Sequence, residues 1–158
     1  MTATLIAEQL NYPLKIFMDN RIREKEFGRL HAIKHEDLKA RYPDDWKARQ
    51  RDGKYYHRMP GGENYPDVEQ RLHSFLDKLH RDYAGQSVLV TTHRVPYLLF
   101  QALFQHLGEQ EVLSLGDVPN CGIAEYHLDT SRVPEGRLRM MQWNRTAYDM
   151  KNSPQFDV

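Results

Sequence analysis

The chain has 158 residues, which fits one domain able to bury a core. Its 22 basic and 22 acidic side chains cancel and no basic arm stands out, so nothing in its charge argues for a nucleic-acid partner. A single cysteine, Cys121, excludes an internal disulfide and a cysteine-built metal cluster, and with no basic residue before an apolar leader at the N-terminus a soluble cytoplasmic protein is expected.

The mean hydropathy of −0.76 implies a wet surface and a modest core. Thr4 to Leu10 reads as a short helix with Leu5, Ile6 and Leu10 on one side, and Leu14 to Met18 as a strand. Asp19 to Gly28 is a charged loop. His35 to Tyr42 is a short helix stopped by Pro43, and Asp44 to Arg51 a second one. Gly53 to Asn64 reads as a loop rich in glycine, tyrosine and basic residues. Pro66 opens the clearest helix, on which Val68, Leu72, Phe75, Leu76, Leu79 and Tyr83 recur with helical spacing up to Gly85. Ser87 to Thr92 is a buried-type strand. Pro96 to Leu107 is an apolar helix closed by Gly108; its apolar stretch, Val95 to Phe104, is about half of a membrane span, so no membrane partner is expected. Cys121 to Leu128 and Leu138 to Trp143 read as strands joined by a turn near Pro134-Glu135-Gly136, an antiparallel hairpin. No repeat is present, and alternating helices and strands indicate an α/β protein.

The chemistry-bearing residues fall at the ends of these elements. In Val88-Leu89-Val90-Thr91-Thr92-His93-Arg94 an apolar strand leads through His93 into a helix, and ligands of α/β sheets bind at such strand ends. The helix N-terminus there suits an anion such as phosphate. Glu24 lies in the charge run Arg23-Glu24-Lys25-Glu26, a pattern that by itself marks a solvated face. Arg49, Arg51, Lys54 and Arg58 cluster before the turn Pro60-Gly61-Gly62-Glu63 and raise the prospect of an anion-binding loop.

Taken in order, these pieces resemble a known family. Asp19-Asn20-Arg21-Ile22-Arg23-Glu24-Lys25-Glu26-Phe27-Gly28 resembles the "D-x-R-L-R-E-x-x-F-G" segment of the histidine phosphatase (phosphoglycerate mutase-like) superfamily. Pro60-Gly61-Gly62-Glu63-Asn64-Tyr65, with Asp67 and Arg71, is similar to its "P-G-G-E-S-x-x-D…R" segment. Val90-Thr91-Thr92-His93 resembles the strand bearing its second histidine. Asn120-Cys121-Gly122 and Trp143-Asn144-Arg145-Thr146-Ala147 are similar to its late landmarks. Within the superfamily, the stretch from Arg51 to Glu63 resembles the fructose-2,6-bisphosphatase branch.

The resemblance implies one domain over residues 1–158. Its fold is a three-layer α/β/α phosphoglycerate mutase-like arrangement with a mainly parallel sheet, ending in an antiparallel hairpin. It implies Glu24 as proton donor and His93 as the histidine that stabilises the transferring phosphoryl, with Gly28, Gly62 and Glu63 as structural members of the two loops. Arg49, Lys54 and Tyr65 fall where the branch contacts substrate. Arg58 and Arg94 add charge at the same mouth, Arg94 replacing a glutamine. His35 stands where the branch has a tyrosine, and Leu98 where it has an arginine, which argues against the identical bisphosphate as substrate. No cofactor and no metal are implied.

The resemblance also exposes a gap. The family's nucleophile lies in an Arg-His-Gly triplet, and no histidine of this chain precedes a glycine. Met1-Thr2-Ala3 resembles the tail of the family's clamp-arginine segment, so the first strands of the fold, the nucleophile and two phosphate-binding arginines are expected to be missing. Buried strands would then lack hydrogen-bond partners at roughly 1–3 kcal/mol per group, severe beside a typical stability of about 5–15 kcal/mol. A truncated gene model or fragment, a partner or second copy supplying strands, and a rearranged non-catalytic fold each account for this; Met1 falling inside a motif favours the first. Two functions follow: a phosphatase or phosphomutase relative acting on a small phosphorylated metabolite, inactive alone, and a non-catalytic phosphosugar-binding module.

Overall fold

Asn64 begins the longest helix. Its side chain accepts the Asp67 N–H at 2.9 Å while the Asp67 carboxylate accepts the Asn64 N–H at 2.9 Å, so the first turn is closed from both sides. The computed structural model describes residues 2–10, 13–31, 33, 35–129 and 137–150. It divides into two compact units, Met1–Leu103 and Phe104–Val158.

In the first unit, helix α1 (Thr2–Gln9) buries no residue, whereas α2 (His35–Arg41) buries Leu38 completely. Helix α3 (Pro43–Tyr56) runs past the predicted end at Arg51. It is broken at Gly53, whose φ of 77° lies outside the helical region. The sequence places a loop there because glycine and tyrosines follow each other; the glycine makes a kink and Lys54 to Tyr56 resume a turn. Helix α4 (Tyr65–Asp82) buries Tyr65, Val68, Leu72 and Phe75, one face of the predicted apolar stripe. Helix α5 (Arg94–Gln105) starts two residues before Pro96, which is tolerated in a first turn because N–H groups there have no helical partner. Phe75 and Phe100, with centroids 6.0 Å apart, join α4 to α5, and Leu98 and Leu99 of α5 are buried. Truncating such a leucine typically costs about 2–5 kcal/mol.

The two strands expected at Leu14–Met18 and Ser87–Thr92 form no ladder among the described residues. A strand exists as a hydrogen-bonded element only when a neighbour supplies the other half of its bonds. Neither run has that neighbour among the described residues, and Leu14, Ile16, Phe17, Met18, Val88 and Leu89 are exposed, Met18 to 97% and Leu89 to 63%. Both are anchored at their ends. Phe17 meets Tyr83 edge-on with centroids 6.2 Å apart, and Thr92 Oγ1 donates to the Ile22 carbonyl at 2.6 Å.

In the second unit, α6 (Glu109–Ser114), which the sequence does not suggest, buries Val112. Strands β1 (Ile123–Asp129) and β2 (Arg137–Arg145) pair antiparallel, as expected, with Tyr126 opposite Met140 and Leu128 opposite Leu138. β1 starts two residues later than predicted because Cys121 and Gly122 form a turn, Cys121 with φ 59° and Gly122 N–H bonded to the Pro119 carbonyl at 3.0 Å. Phe104 packs edge-on against Tyr126 at 4.7 Å. The expected turn at Pro134-Glu135-Gly136 lies outside the described residues. A short helix, α7 (Ala147–Met150), follows. No helix among the described residues is long and apolar enough to cross a membrane.

Candidate functional site

Two loops that are distant in sequence lock together in the first unit. Phe27 and Gly62 form an antiparallel bridge, Glu63 N–H donates to the Glu26 carbonyl at 2.8 Å, and Arg29 N–H donates to the Pro60 carbonyl at 3.3 Å. Gly28 holds a φ of 55°, and a Cβ there would lie 2.7 Å from the Gly62 nitrogen and closer still to the Pro60 carbonyl. Only glycine meets both demands, which is why this residue closes the charged loop.

The charged loop is then bolted to α4. Arg71 Nε donates to one Glu63 oxygen at 3.0 Å and a terminal nitrogen donates to the other at 3.2 Å. The remaining donors reach the carbonyls of Arg21 and, at 3.2 Å, Glu24. This pair is largely buried, its side chains 12% and 16% exposed. Burial alone would raise the Glu63 carboxyl pKa. Hydrogen bonds from Arg71 and the Glu26 N–H, with the charges of Arg71 and Arg23, outweigh it and hold the group below its ordinary value. At the other end of the loop Asp19 caps a 3-10 turn (Asn20–Ile22), and its two oxygens grip the Arg21 guanidinium at 2.9 and 2.6 Å.

Beside this junction lies a cavity of about 730 Å³, within the usual range for small-molecule sites. Arg23, Lys25, Arg49, Lys54 and Arg94 line it, against two carboxylates, Glu24 and Glu26. Burial lowers the Lys25 pKa and the like charge of Arg49 lowers it further, against the nearby carboxylates of Glu63, Glu24 and Glu26, which oppose the shift. Tyr65 opens into the same space. Burial raises its phenol pKa, while the charges of Arg94 and Arg49 and a hydrogen bond from Arg94 oppose that rise. Tyr55 stacks on Tyr65 at 5.2 Å and is itself tied to Glu69 through its hydroxyl at 2.5 Å, which fixes the ring. Glu24 accepts the Lys25 N–H at 2.7 Å and, from the first turn of α5, the Val95 N–H at 3.2 Å. Its carboxylate thus lies against the positive end of a helix.

The structure gathers Glu24, Arg49, Lys54, Tyr65 and Arg94 around one cavity. His93 is exposed and absent from the lining; it precedes Arg94 and Val95, which are part of it, and its carbonyl accepts the Tyr97 N–H at 3.0 Å. Arg58 points elsewhere and pairs with Asp67 at the start of α4. Gly28, Gly62 and Glu63 form the loop junction beside the cavity. The side chain of His35 lies outside the described residues. Sequence reasoning assigns nothing to Lys25, which it leaves in a solvated charge run, or to His57. The latter is buried, lines the cavity, and places its ring nitrogens 3.4 Å from an Asp52 oxygen and 3.2 Å from the Met59 sulfur. A histidine between Tyr56 and Arg58 carries no periodicity that would reveal burial. Among the described residues no three His, Cys, Asp or Glu side chains cluster as metal ligands.

The fold and these two loops define a class: the chain belongs to the histidine phosphatase superfamily (branch 1), whose family model matches residues 1–144. Among curated proteins it is 34% identical over 113 residues to the fructose-2,6-bisphosphatase of Saccharomyces cerevisiae, covering 70% of this chain and 24% of that protein. It is 30% identical over 144 residues to rat 6-phosphofructo-2-kinase/fructose-2,6-bisphosphatase 3, covering 84% of this chain and 25% of the other. The chain thus spans about a quarter of the length of these relatives. Mycobacterial glucosyl-3-phosphoglycerate phosphatase shares the fold, with a TM-score of 0.72 at 23% identity over 92% of this chain and 72% of that one.

Proposed function

We propose that the chain forms the substrate-binding part of a histidine phosphatase acting on a small phosphorylated metabolite of the phosphosugar or phosphoglycerate type. The observation that carries this is the convergence of five cationic side chains, Tyr65 and Glu24 on one cavity. Charge-assisted hydrogen bonds from arginine and lysine suit phosphate oxygens. A carboxyl group among them suits protonation of a leaving alcohol. In this reading Glu24 is the proton donor, His93 turns toward the transferring phosphoryl, and Arg49, Lys54, Tyr65 and Arg94 hold the metabolite. The chemistry needs no metal and takes place in the cytoplasm. Relatives named for fructose 2,6-bisphosphate and glucosyl-3-phosphoglycerate support a phosphosugar.

Turnover needs a nucleophile, and the sequence holds no Arg-His-Gly. The chain alone therefore binds without hydrolysing, and a polypeptide bearing that triplet, or a second copy laid against the Leu14–Met18 and Ser87–Thr92 runs, completes the sheet. The missing triplet equally favours a second reading, a non-catalytic phosphosugar-binding module. Calorimetric titration with inorganic phosphate, 3-phosphoglycerate and fructose 6-phosphate tests both at low salt. The expected result is binding that weakens at least tenfold in the Lys54→Ala, Arg94→Ala double variant. Hydrolysis of an aryl phosphate should be absent. Turnover that appears when an Arg-His-Gly segment of a relative is fused upstream supports the enzyme; binding with no turnover in the fusion supports the module. Binding unchanged in the double variant removes this cavity from the function.

A further inference from the structure

We propose that Arg71 is the positioning residue for Glu24, an inference that rests on the reading of Glu24 as proton donor. Glu24 lies on a loop with no strand ladder to hold it, yet its carboxylate meets the Val95 N–H at 3.2 Å. Something must fix the backbone from which it projects. Arg71 does so from the interior of α4, a helix closed by its own capping box. Its guanidinium holds the loop at three points. It donates to the carbonyl of Arg21 and to that of Glu24 itself, and through Glu63, which accepts the Glu26 N–H at 2.9 Å, it holds the far side. Lys25 Nζ closes the same junction on the Glu63 carbonyl at 2.9 Å. Glu24 is thereby held between two fixed neighbours, with its own carbonyl gripped.

Arginine is the one side chain that can do this. Its planar fork carries five N–H donors, and four bonds are made here at fixed angles. Lysine has the charge but not the fork. Arg71 lies behind the loop and is absent from the cavity lining, so it acts on substrate only through Glu24.

The Val95 amide is a direct reporter, because it is the donor that Glu24 accepts. The experiment compares ¹⁵N–¹H spectra of the full chain, without phosphate, for the wild type, Arg71→Met, Arg71→Lys, Glu24→Ala and the two combinations with Glu24→Ala. Expected is loss of the Val95 hydrogen-bond shift in Arg71→Met comparable to that in Glu24→Ala, with no further change when the two are combined. Arg71→Lys should recover part of it. A residue that merely stabilises the fold would move Val95 equally in both backgrounds, since it would not act through Glu24. Additive shifts, or a Val95 signal unmoved in Arg71→Met, would overturn the proposal. If Arg71→Met does not fold, Arg71→Lys against Arg71→Lys, Glu24→Ala decides by the same comparison. Failure of the phosphosugar reading is distinguishable: it shows as no phosphate binding to the wild type, whatever the Val95 amide does.

Discussion

Residues 14–18 and residues 20–30 adjoin in sequence and solve the same backbone problem in opposite ways. The second stretch contains no regular strand, yet its polar backbone is held by Arg71, by the Glu63 carboxylate and by the loop at Pro60–Gly62. The first is the more apolar and has the stronger strand pattern, yet it joins no ladder among the described residues and Leu14, Ile16, Phe17 and Met18 are exposed. Local pattern therefore does not decide which segment is ordered by the rest of the chain. What decides is whether its N–H and C=O groups find partners elsewhere in the fold.

Substitutions should separate the two stretches sharply. Gly28→Ala meets backbone on two sides at a positive φ and is expected to cost about 2–4 kcal/mol in chemical denaturation. A loss below about 0.5 kcal/mol would show that the junction is loose. Acid should come next. Arg21 hydrogen bonds hold the Asp19 carboxyl at about 2, against burial that would raise it. Since the folded value lies below the unfolded one, this stability is present above about pH 4 and is lost as the pH falls toward 2. The urea midpoint should drop between pH 4 and pH 2, and Asp19→Asn should flatten that drop. The smallest effect is expected from Met18→Lys and Leu89→Lys, which place charge on open surface and should change stability within about ±0.5 kcal/mol. A clear destabilisation would mean that these runs are buried against something in solution, a second copy being the first candidate, and sedimentation would then show the wild type heavier than the variant.

Much of the helical part of the fold is legible in the sequence because each helix carries its own signals. The stripe from Val68 to Tyr83 and the stop at Pro43 are local facts, and the structure places helices accordingly. The strand runs are legible as apolar patterns but not as ladders, since pairing is a property of two segments. At the site, ordered motifs bring out Glu24, Arg49, Lys54, Tyr65 and Arg94, all of which reach the cavity. Lys25 escapes because its partner, the Glu63 carbonyl, lies far away in sequence, and His57 because no local periodicity marks it as buried. Arg71 is visible only as a motif member, because its work is done on backbone atoms, and carbonyl groups leave no trace in residue identity. The absence of His93 from the lining has a comparable origin: sequence order gives its place at the start of α5, not the direction of its ring.

The break at Gly53 sets a spacing of charges. In an unbroken α-helix, residues five apart point about 140° away from each other, so Arg49 and Lys54 would face different surroundings. The kink turns the chain between them, and both line one cavity. One left-handed residue thus works as a wrist on the end of α3. It converts two charges on divergent faces into a pincer whose opening is fixed by backbone torsion rather than by the reach of flexible side chains.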